Sequence, residues 1–586
     1  MVKAKEPQGK AAAGQMSNAK IAAELLRLAE LLEISNANPF RVRAYRNAAR
    51  TIDTLPESIG TLLAAGRALS ELPGIGEDLA GKIKELYETG HLRLLDEVAE
   101  KLPPSLVEMA ALPGLGPKRI KLIFDKLKIK SLAELGKAAA AGKLAKLPGL
   151  GEKTQARILE GLAERGAGPA RVKLASAEES ATALLDYLKR GRGVRQAIVA
   201  GSYRRRKETV GDLDLLVTSA AGGDAIERFA AYPRVKEVLA KGPTRSTVLL
   251  DSGLQVDLRV VPEESYGAAL HYFTGSKDHN IAIRTLGVMK GLKVNEYGVF
   301  RGEKRIAGRS EDEIYALFKL PYIEPELREN RGEIEAARAG KLPHLVRLDD
   351  IRGDLHIHTK ASDGSATIAE MAAAAKVRGY AYLAISDHSR RLTVAHGLDA
   401  KRLGRQIDEI ERLNATLKGL RLLKAVEVDI LEDGTLDLED GILAKLDFAI
   451  AAVHSHFALP LAKQTERIIR AMDNRNLSIV AHPTGRLIGE REPYAVDMDR
   501  LVRAAKERGC FFEINAQPER LDLNDIHARL AKEAGVKLAI ATDAHSVRQL
   551  DFMRFGIGQA RRGWIEPGDV LNTRPWSELS RLLKRR

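Results

Sequence analysis

The sequence predicts a multidomain chain with an α-helical amino-terminal part, an α+β middle and a carboxyl-terminal parallel α/β barrel. Three observations predict this. Leu-Pro-Gly-x-Gly turns recur between helical stretches at Leu72–Gly76, Leu112–Gly116 and Leu147–Gly151. A strand carries Asp212 and Asp214 at spacing two, and a second apolar strand carries Asp257. From Gly353 onward, short apolar runs that end in histidine or acid alternate with helical stretches.

A chain of 586 residues is too long for one core. Its 45% hydrophobic content is that of globular domains. A single cysteine, Cys510, excludes an intramolecular disulfide and zinc fingers, and fits a reducing cytoplasm. No secretory leader and no apolar run of spanning length is read, so a membrane is not an expected partner. Residues 1–19 are polar and Ala/Gly-rich and are expected to be disordered. The net charge of +14 is uneven. Residues 1–345 hold 55 Lys+Arg against 44 Asp+Glu, and residues 346–586 hold 38 against 35. The surplus in the front part points to a polyanionic partner there.

The front part reads as helices. Residues 21–34 (IAAELLRLAELLEI) place apolar side chains at helical spacing. Pro39 then opens a helix that carries Arg41, Arg43 and Arg46. In the repeated turns, Gly74, Gly76, Gly114, Gly116, Gly149 and Gly151 allow tight turning and close approach to a ligand. Each turn leads into a helix whose first N–H groups can receive a phosphate. One copy would pass for an ordinary helical turn. Three copies resemble the helix-hairpin-helix motif, which grips the DNA backbone without reading sequence.

Gly166–Pro169 reads as a linker. Beyond it come a helix at 180–189 and strands at 196–199, 248–250 and 254–261, with the 201–217 unit among them. Strand side chains alternate, so Asp212 and Asp214 share one face while Leu213 and Leu215 face a core. Two adjacent carboxylates repel unless cations lie between them. The Gly201-Ser202 turn offers backbone N–H groups, and Arg204, Arg205 and Arg206 follow it. Cations on one side and arginines opposite suit a triphosphate. Asp257 in an apolar strand is costly unless paired or metal-bound. Solvated surface charge is the plainer reading of the stretch taken alone.

Gly201-Ser202, Asp212-x-Asp214, the third aspartate and Tyr272-Phe-Thr-Gly-Ser276 together resemble the family X DNA polymerases, the class of DNA polymerase beta, over residues 20–320. The resemblance implies a lyase-type domain at 20–100, fingers at 101–168, palm at 169–262 and thumb at 263–323, with a linker at 324–352 before the last domain. It implies that Asp212, Asp214 and Asp257 hold two Mg²⁺, one at the primer 3′-hydroxyl and one on the triphosphate. Gly201, Ser202 and Arg205 match triphosphate contacts. Tyr272 and Phe273 match the sugar-packing pair of a motif that includes Gly275. Asn280 and Arg284 match the residues that probe the nascent base pair. Lys82 matches a Schiff-base lysine of a deoxyribose-phosphate lyase, with Tyr45 as a helper. Asp78 departs from the animal pattern, which has lysine there, and favours the ammonium over the nucleophilic amine. A phosphate-binding Lys82 is the alternative.

In the last domain the runs end at His356 and His358, Asp387 and His388, Glu427, His454 and His456, His482, and Asp543 and His545. Helical stretches at 368–378, 402–417, 463–472, 498–508 and 526–534 separate them. Seven histidines at strand ends are not a core coincidence, and imidazoles with carboxylates suit Zn, Mn or Fe. The set resembles a PHP domain, a (β/α)7-type barrel with a trinuclear metal site. Its ligand pattern falls on His356, His358, Asp363, His388, Glu427, His454, His482, Asp543 and His545. Asp363 takes a slot that some members give to histidine, which favours manganese. Asp354 and Asp387 are expected to support ligands, and His456 has no assigned role.

Polymerase and PHP domains in this order resemble bacterial family X polymerases with a Mn²⁺-dependent 3′–5′ exonuclease. The expected activities are gap filling and 3′-end trimming in DNA repair, with abasic-site incision as an extra. The expected partners are gapped or nicked DNA and deoxynucleoside triphosphates. A monomer in the nucleoid-bearing cytoplasm is expected. One alternative is a nucleotidyltransferase for RNA or protein joined to a small-molecule phosphatase, against which the hairpin turns speak. The other is a DNA-bridging scaffold, against which the complete ligand sets speak.

Overall fold

The computed structural model describes residues 16, 18–53, 55, 57–110, 112, 115–163, 171–219 and 222–584. The chain divides into two units, Met1–Gly168 and Pro169–Arg586. Gly114 and the 166–169 stretch lie outside the described residues, as do residues 1–15 and 17 of the expected tail.

The first unit is helical. Helix Asn18–Ile34 begins within the stretch expected as a tail. It buries Leu25, Leu28, Leu31 and Ile34, the stripe that its spacing foretells. Helix Pro39–Asp53 packs on it through Val42, Tyr45 and Ile52. Gly74 and Gly149 adopt φ of 76° and 77°, a region that L side chains disfavour. Gly76 and Gly116 sit at the N-caps of helices Glu77–Thr89 and Pro117–Leu127. Helix Glu152–Ala163 follows Gly151. Among the described residues, no atom beyond the chain neighbours lies within 4 Å of a β-carbon built on Gly76, Gly116, Gly149 or Gly151, so these turns face open space.

The second unit begins with a five-stranded sheet. Its order is 194–199, 212–219, 255–261, 245–250 and 235–241. Strands Asp212–Ser219 and Gln255–Val261 run parallel, and their register sets Asp214 beside Asp257. Leu213 and Leu215 are buried, as alternation requires. The outermost strand, Val235–Lys241, is absent from the sequence reading. It is an edge strand, exposed along nearly all its length, and shows no apolar alternation.

The stretch 324–352 is not the plain linker that its charge suggests. It contains helix Glu333–Arg338, and it buries Arg328 and Glu333 completely. Buried charges need partners, and Glu311 and His279 supply them.

The last domain is a closed ring of parallel strands. They are Gly353–Asp354, Tyr382–Ile385, Arg421–Lys424 continuing as Glu427–Asp429, Ala449–Ala452, Leu477–Val480, Phe511–Asn515 and Leu538–Ala541. Parallel bridges His388–Glu427 and Ile357–Ala544 join the two parts and close the ring. The strands are buried on both faces, which explains their unbroken apolar runs. Caps set the helix ends: Thr367 and Glu370 form a capping box, and Gly509 ends helix Met498–Arg508 in the left-handed region.

This barrel shares its core with the sheet. Leu521 and Phe555 lie in the same buried cluster as Leu215, Val217 and Leu258. Trp564 joins the cluster of the 268–345 region.

Candidate active sites

Asp212 and Asp214 project from one face of their strand toward a cleft of about 540 Å³. Its lining includes Gly201, Ser202, Arg205, Tyr272, Phe273, Gly275, Asn280 and Arg284, the eight residues expected at the nucleotide, while Asp257 lies outside the lining. Asp257 adjoins Asp214 in the sheet, where Gln255 Nε2 donates to it at 2.9 Å and Thr247 Oγ1 donates to its other oxygen. Burial, then Asp212 and Asp257, push the Asp214 carboxyl up to about 7. Burial and Asp257 also raise Asp212. Three carboxylates on two adjoining strands form a donor set that fits divalent cations.

The opposite wall is cationic. Arg205 donates to the Thr274 carbonyl and pairs with Glu329 at 3.1 Å. Tyr272 and Phe273 meet edge to face, with centroids 5.1 Å apart. Asn280 Nδ2 donates to the Tyr272 carbonyl at 2.6 Å, and its buried Oδ1 has no hydrogen-bond partner. Arg171, Lys207 and Lys277 also line the cleft and were missed in the sequence. Lys207 directly follows the three arginines and was passed over for them, whereas Arg171 and Lys277 stand alone and have no periodic signal. Lys207 is half-buried, and the loss of solvent lowers its pKa.

In the first unit, Lys82 makes a short ion pair with Asp78 one helical turn away. Tyr45 is buried in the helical core, and its hydroxyl has no hydrogen-bond partner among the described residues.

The barrel histidines and acids converge. Glu427 is central, lying 2.7 Å from His388, 2.9 Å from His482, 3.3 Å from His454, 3.4 Å from His356 and 3.6 Å from His358. Asp543 lies 3.0 Å from His358. Asp363 lies 3.3 Å from His545 and 3.4 Å from His388. Three groups have ligand atoms close enough to share an ion: His358, Asp363, His388 and His545; His356, His358 and Asp543; His388, Glu427 and His454. His482 enters through Glu427. Two members hold left-handed backbone, His482 at φ 27° and Asp543 at φ 50°. Such conformations concentrate at functional sites.

Burial opposes charge throughout the cluster. Nevertheless, His388 and His356 hold Glu427 well below the carboxylate range, and Glu427 and Asp363 lift His388 to about 10. His358 Nδ1 and His482 Nδ1 are buried without hydrogen-bond partners. Imidazole nitrogens left open beside carboxylates fit a cluster of divalent metals.

Asp387 receives Thr359, Ser362 and Gln406, and Asp354 receives Thr542. Both brace the site from behind. His456 is 40% exposed and turns to Glu432, away from the cluster. Two supporting acids were missed. Glu513 accepts from His356 Nδ1 at 2.7 Å and from the His482 N–H at 2.8 Å, and Asp429 lies 3.3 Å from His454. Both carried a signal, as an acid inside an apolar strand: Glu513 in Phe511–Asn515, and Asp429 two residues past Glu427.

Comparison with known proteins agrees with this arrangement. The chain matches models for a helix-hairpin-helix domain at residues 16–92 and a SAM-like helix-hairpin-helix tandem at 106–164. It matches the DNA polymerase beta palm at 174–262, the DNA polymerase beta thumb at 269–329 and the PHP domain at 354–517. It is 39% identical over 571 residues to DNA polymerase/3′-5′ exonuclease PolX of Bacillus subtilis (strain 168), covering 96% of this chain and 99% of that one. This chain belongs to the family X DNA polymerases that carry a PHP domain. It is also 34% identical over 231 residues to a probable phosphatase of Thermoanaerobacter sp. (strain X514), across 38% of this chain and 89% of that protein. A probable phosphatase of Acetivibrio thermocellus is 32% identical over 201 residues, across 33% and 78%. Membership of this polymerase family implies divalent metals, DNA and nucleotides as its chemistry. Among the described residues, no helix is long and apolar enough to cross a membrane.

Proposed function

We propose that this chain fills short gaps in DNA and trims 3′ ends, using two separate metal sites. The observation that carries the reading is the coexistence of the Asp212–Asp214–Asp257 face and the Glu427-centred cluster in a chain related along its whole length to a polymerase/exonuclease. The three aspartates would hold two Mg²⁺, and the nine barrel ligands would hold three ions of Mn²⁺, Zn²⁺ or Fe. Such ions supply positive charge to phosphate oxygens and activate hydroxyl groups near neutral pH.

The protein's own groups do the rest. Gly201, Ser202 and Arg205 receive the triphosphate. Tyr272 and Phe273 seat the sugar, and Asn280 and Arg284 test the nascent pair from the minor groove. The glycine turns grip the backbone on either side of a gap or nick. In the barrel, Glu513 and Asp429 hold His356 and His454 in orientation. We assign lyase-type, fingers, palm and thumb roles to residues 20–100, 101–168, 169–262 and 263–323, and the exonuclease to 353–586. The working form is a monomer in the cytoplasm, at the nucleoid.

Lyase chemistry at Lys82 requires its ion pair with Asp78 to open. Borohydride trapping on abasic-site DNA tests it, and Lys82→Ala should remove the adduct. The whole reading is tested by a gapped duplex given Mg²⁺ and Mn²⁺ separately. Extension is expected with Mg²⁺ and 3′ degradation with Mn²⁺. Failure of both activities on DNA would leave the RNA or protein nucleotidyltransferase as the better reading.

A further inference from the structure

Helix Met553–Arg562 of the barrel domain packs against both the barrel strands and the polymerase sheet's side of the unit. On one side is Gly556, where an added β-carbon would stand 2.7 Å from Ile540 Cγ2 and 2.8 Å from Ala516 Cβ. Ile540 lies in the strand that leads to Asp543 and His545. Two residues along an α-helix turn about 200°, so Gly558 faces the opposite way. A β-carbon there would stand 3.3 Å from Arg206 Cβ and 3.4 Å from its Cγ. Arg206 has left-handed backbone, φ 54°, and ends the turn that begins at Gly201. Glycine at both positions lets one helix touch both domains closely.

The helix ends in Arg562, whose side chain is 3% exposed. Its Nη1 donates to the carbonyl of Arg205 at 2.9 Å and to Glu329 Oε1 at 2.8 Å. Its Nη2 donates to Asp525 Oδ2 at 2.8 Å. The same Glu329 Oε1 accepts from Arg205 Nε at 3.1 Å. Arg205 is thus held twice, by its backbone directly and by its side chain through a shared carboxylate. Glu329, shared by two guanidiniums and with Lys207 close by, leaves Arg205 incompletely neutralised toward the cleft. With Arg562 gone, Glu329 would claim Arg205 alone and compete with an incoming anion.

We infer that Arg562 is a positioning residue for nucleotide addition, so that the exonuclease domain supplies the rear support of the polymerase triphosphate subsite. The inference rests on the proposed role of Arg205.

The test uses the full chain on a primed template. It measures KM for deoxynucleoside triphosphate, kcat, Mn²⁺-dependent exonuclease rate and Tm. Arg562→Met should raise KM about tenfold, the size of one charge-assisted hydrogen bond, with kcat and exonuclease within about twofold. Adding Glu329→Gln to Arg562→Met should return KM to within about threefold of the parent, because the competing carboxylate is gone. A merely structural Arg562 would not be rescued in this way. An unchanged KM in Arg562→Met, a loss of both activities together, or no rescue by Glu329→Gln overturns the inference. If Arg562→Met does not fold, Arg562→Lys decides: it keeps the charge but not the planar fork that reaches Glu329, Asp525 and the Arg205 carbonyl together, and it should raise KM about threefold with the exonuclease within about twofold. No KM change there overturns the inference. Arg205→Ala separates the two levels. If it raises KM while Arg562→Met does not, only the inference fails; if Arg205→Ala leaves KM alone, the nucleotide-site reading fails.

Discussion

A β-carbon on Gly201 would stand 2.3 Å from Oδ2 of Asp214. Gly201 also has φ of 61°. The turn therefore approaches the carboxylate as closely as only glycine permits. Gly201→Ala should displace Asp214 and reduce DNA synthesis by about 100-fold or more, with the exonuclease unchanged. Steady-state assays of both activities on one preparation check this.

Asp214 and Asp257 form one register pair, with Asp212 two residues back on the same strand. Asp257→Asn and Asp212→Ala should each lower synthesis at least about 100-fold while sparing Mn²⁺-dependent degradation. The readout is primer extension against 3′ shortening. If these variants extended primers normally, the three-carboxylate site would be wrongly placed.

Glu427 lies within ion-pair distance of five imidazoles. Glu427→Gln should release bound metal, measured by elemental analysis of the purified chain. It should also abolish the exonuclease while leaving primer extension within about twofold. Retention of the parent's metal content would remove Glu427 from the ligand set.

Glu513 acts at one remove, through His356 and the His482 backbone. Glu513→Gln should weaken metal retention or exonuclease rate by about 10–100-fold, the usual size for a group that orients a ligand. Titration with Mn²⁺ should restore most of the rate. A loss that excess Mn²⁺ cannot restore would mean that Glu513 does more than orient His356.

Glu311 is buried between Arg204 and Arg328. Burial raises its carboxyl, but Arg328 and Arg204 prevail and hold it at about 2, against 4.5 when free. A lowered folded pKa stabilises above the unfolded value and is lost as pH falls through the folded one. The contribution, on the order of 3 kcal/mol, is therefore complete above pH 4.5 and lost toward pH 2. Denaturant unfolding at stepped pH should show that loss, and Glu311→Gln should flatten this part of the profile.

Much of this was legible in the chain itself. The helical stripe of residues 21–34, the glycine turns and the alternation around Asp212 and Asp214 are local patterns, and local patterns survive in a linear string. The apolar runs of the barrel were legible because strands buried on both faces leave no room for polar side chains. The edge strand Val235–Lys241 was not legible, because exposure erases its alternation. Glu513 and Asp429 escaped because an acid in an apolar strand announces a constraint without naming its partner.

By itself the sequence determined which chemical groups this protein brings to phosphate chemistry, since residue type and short-range spacing decide what can bind a cation or an anion. Only the tertiary structure decided which of them meet. Asp214 and Asp257 adjoin through strand register, and Arg562 reaches the Arg205 carbonyl from 357 residues away. Such meetings depend on how distant segments close on one another, and no periodicity within a segment encodes that.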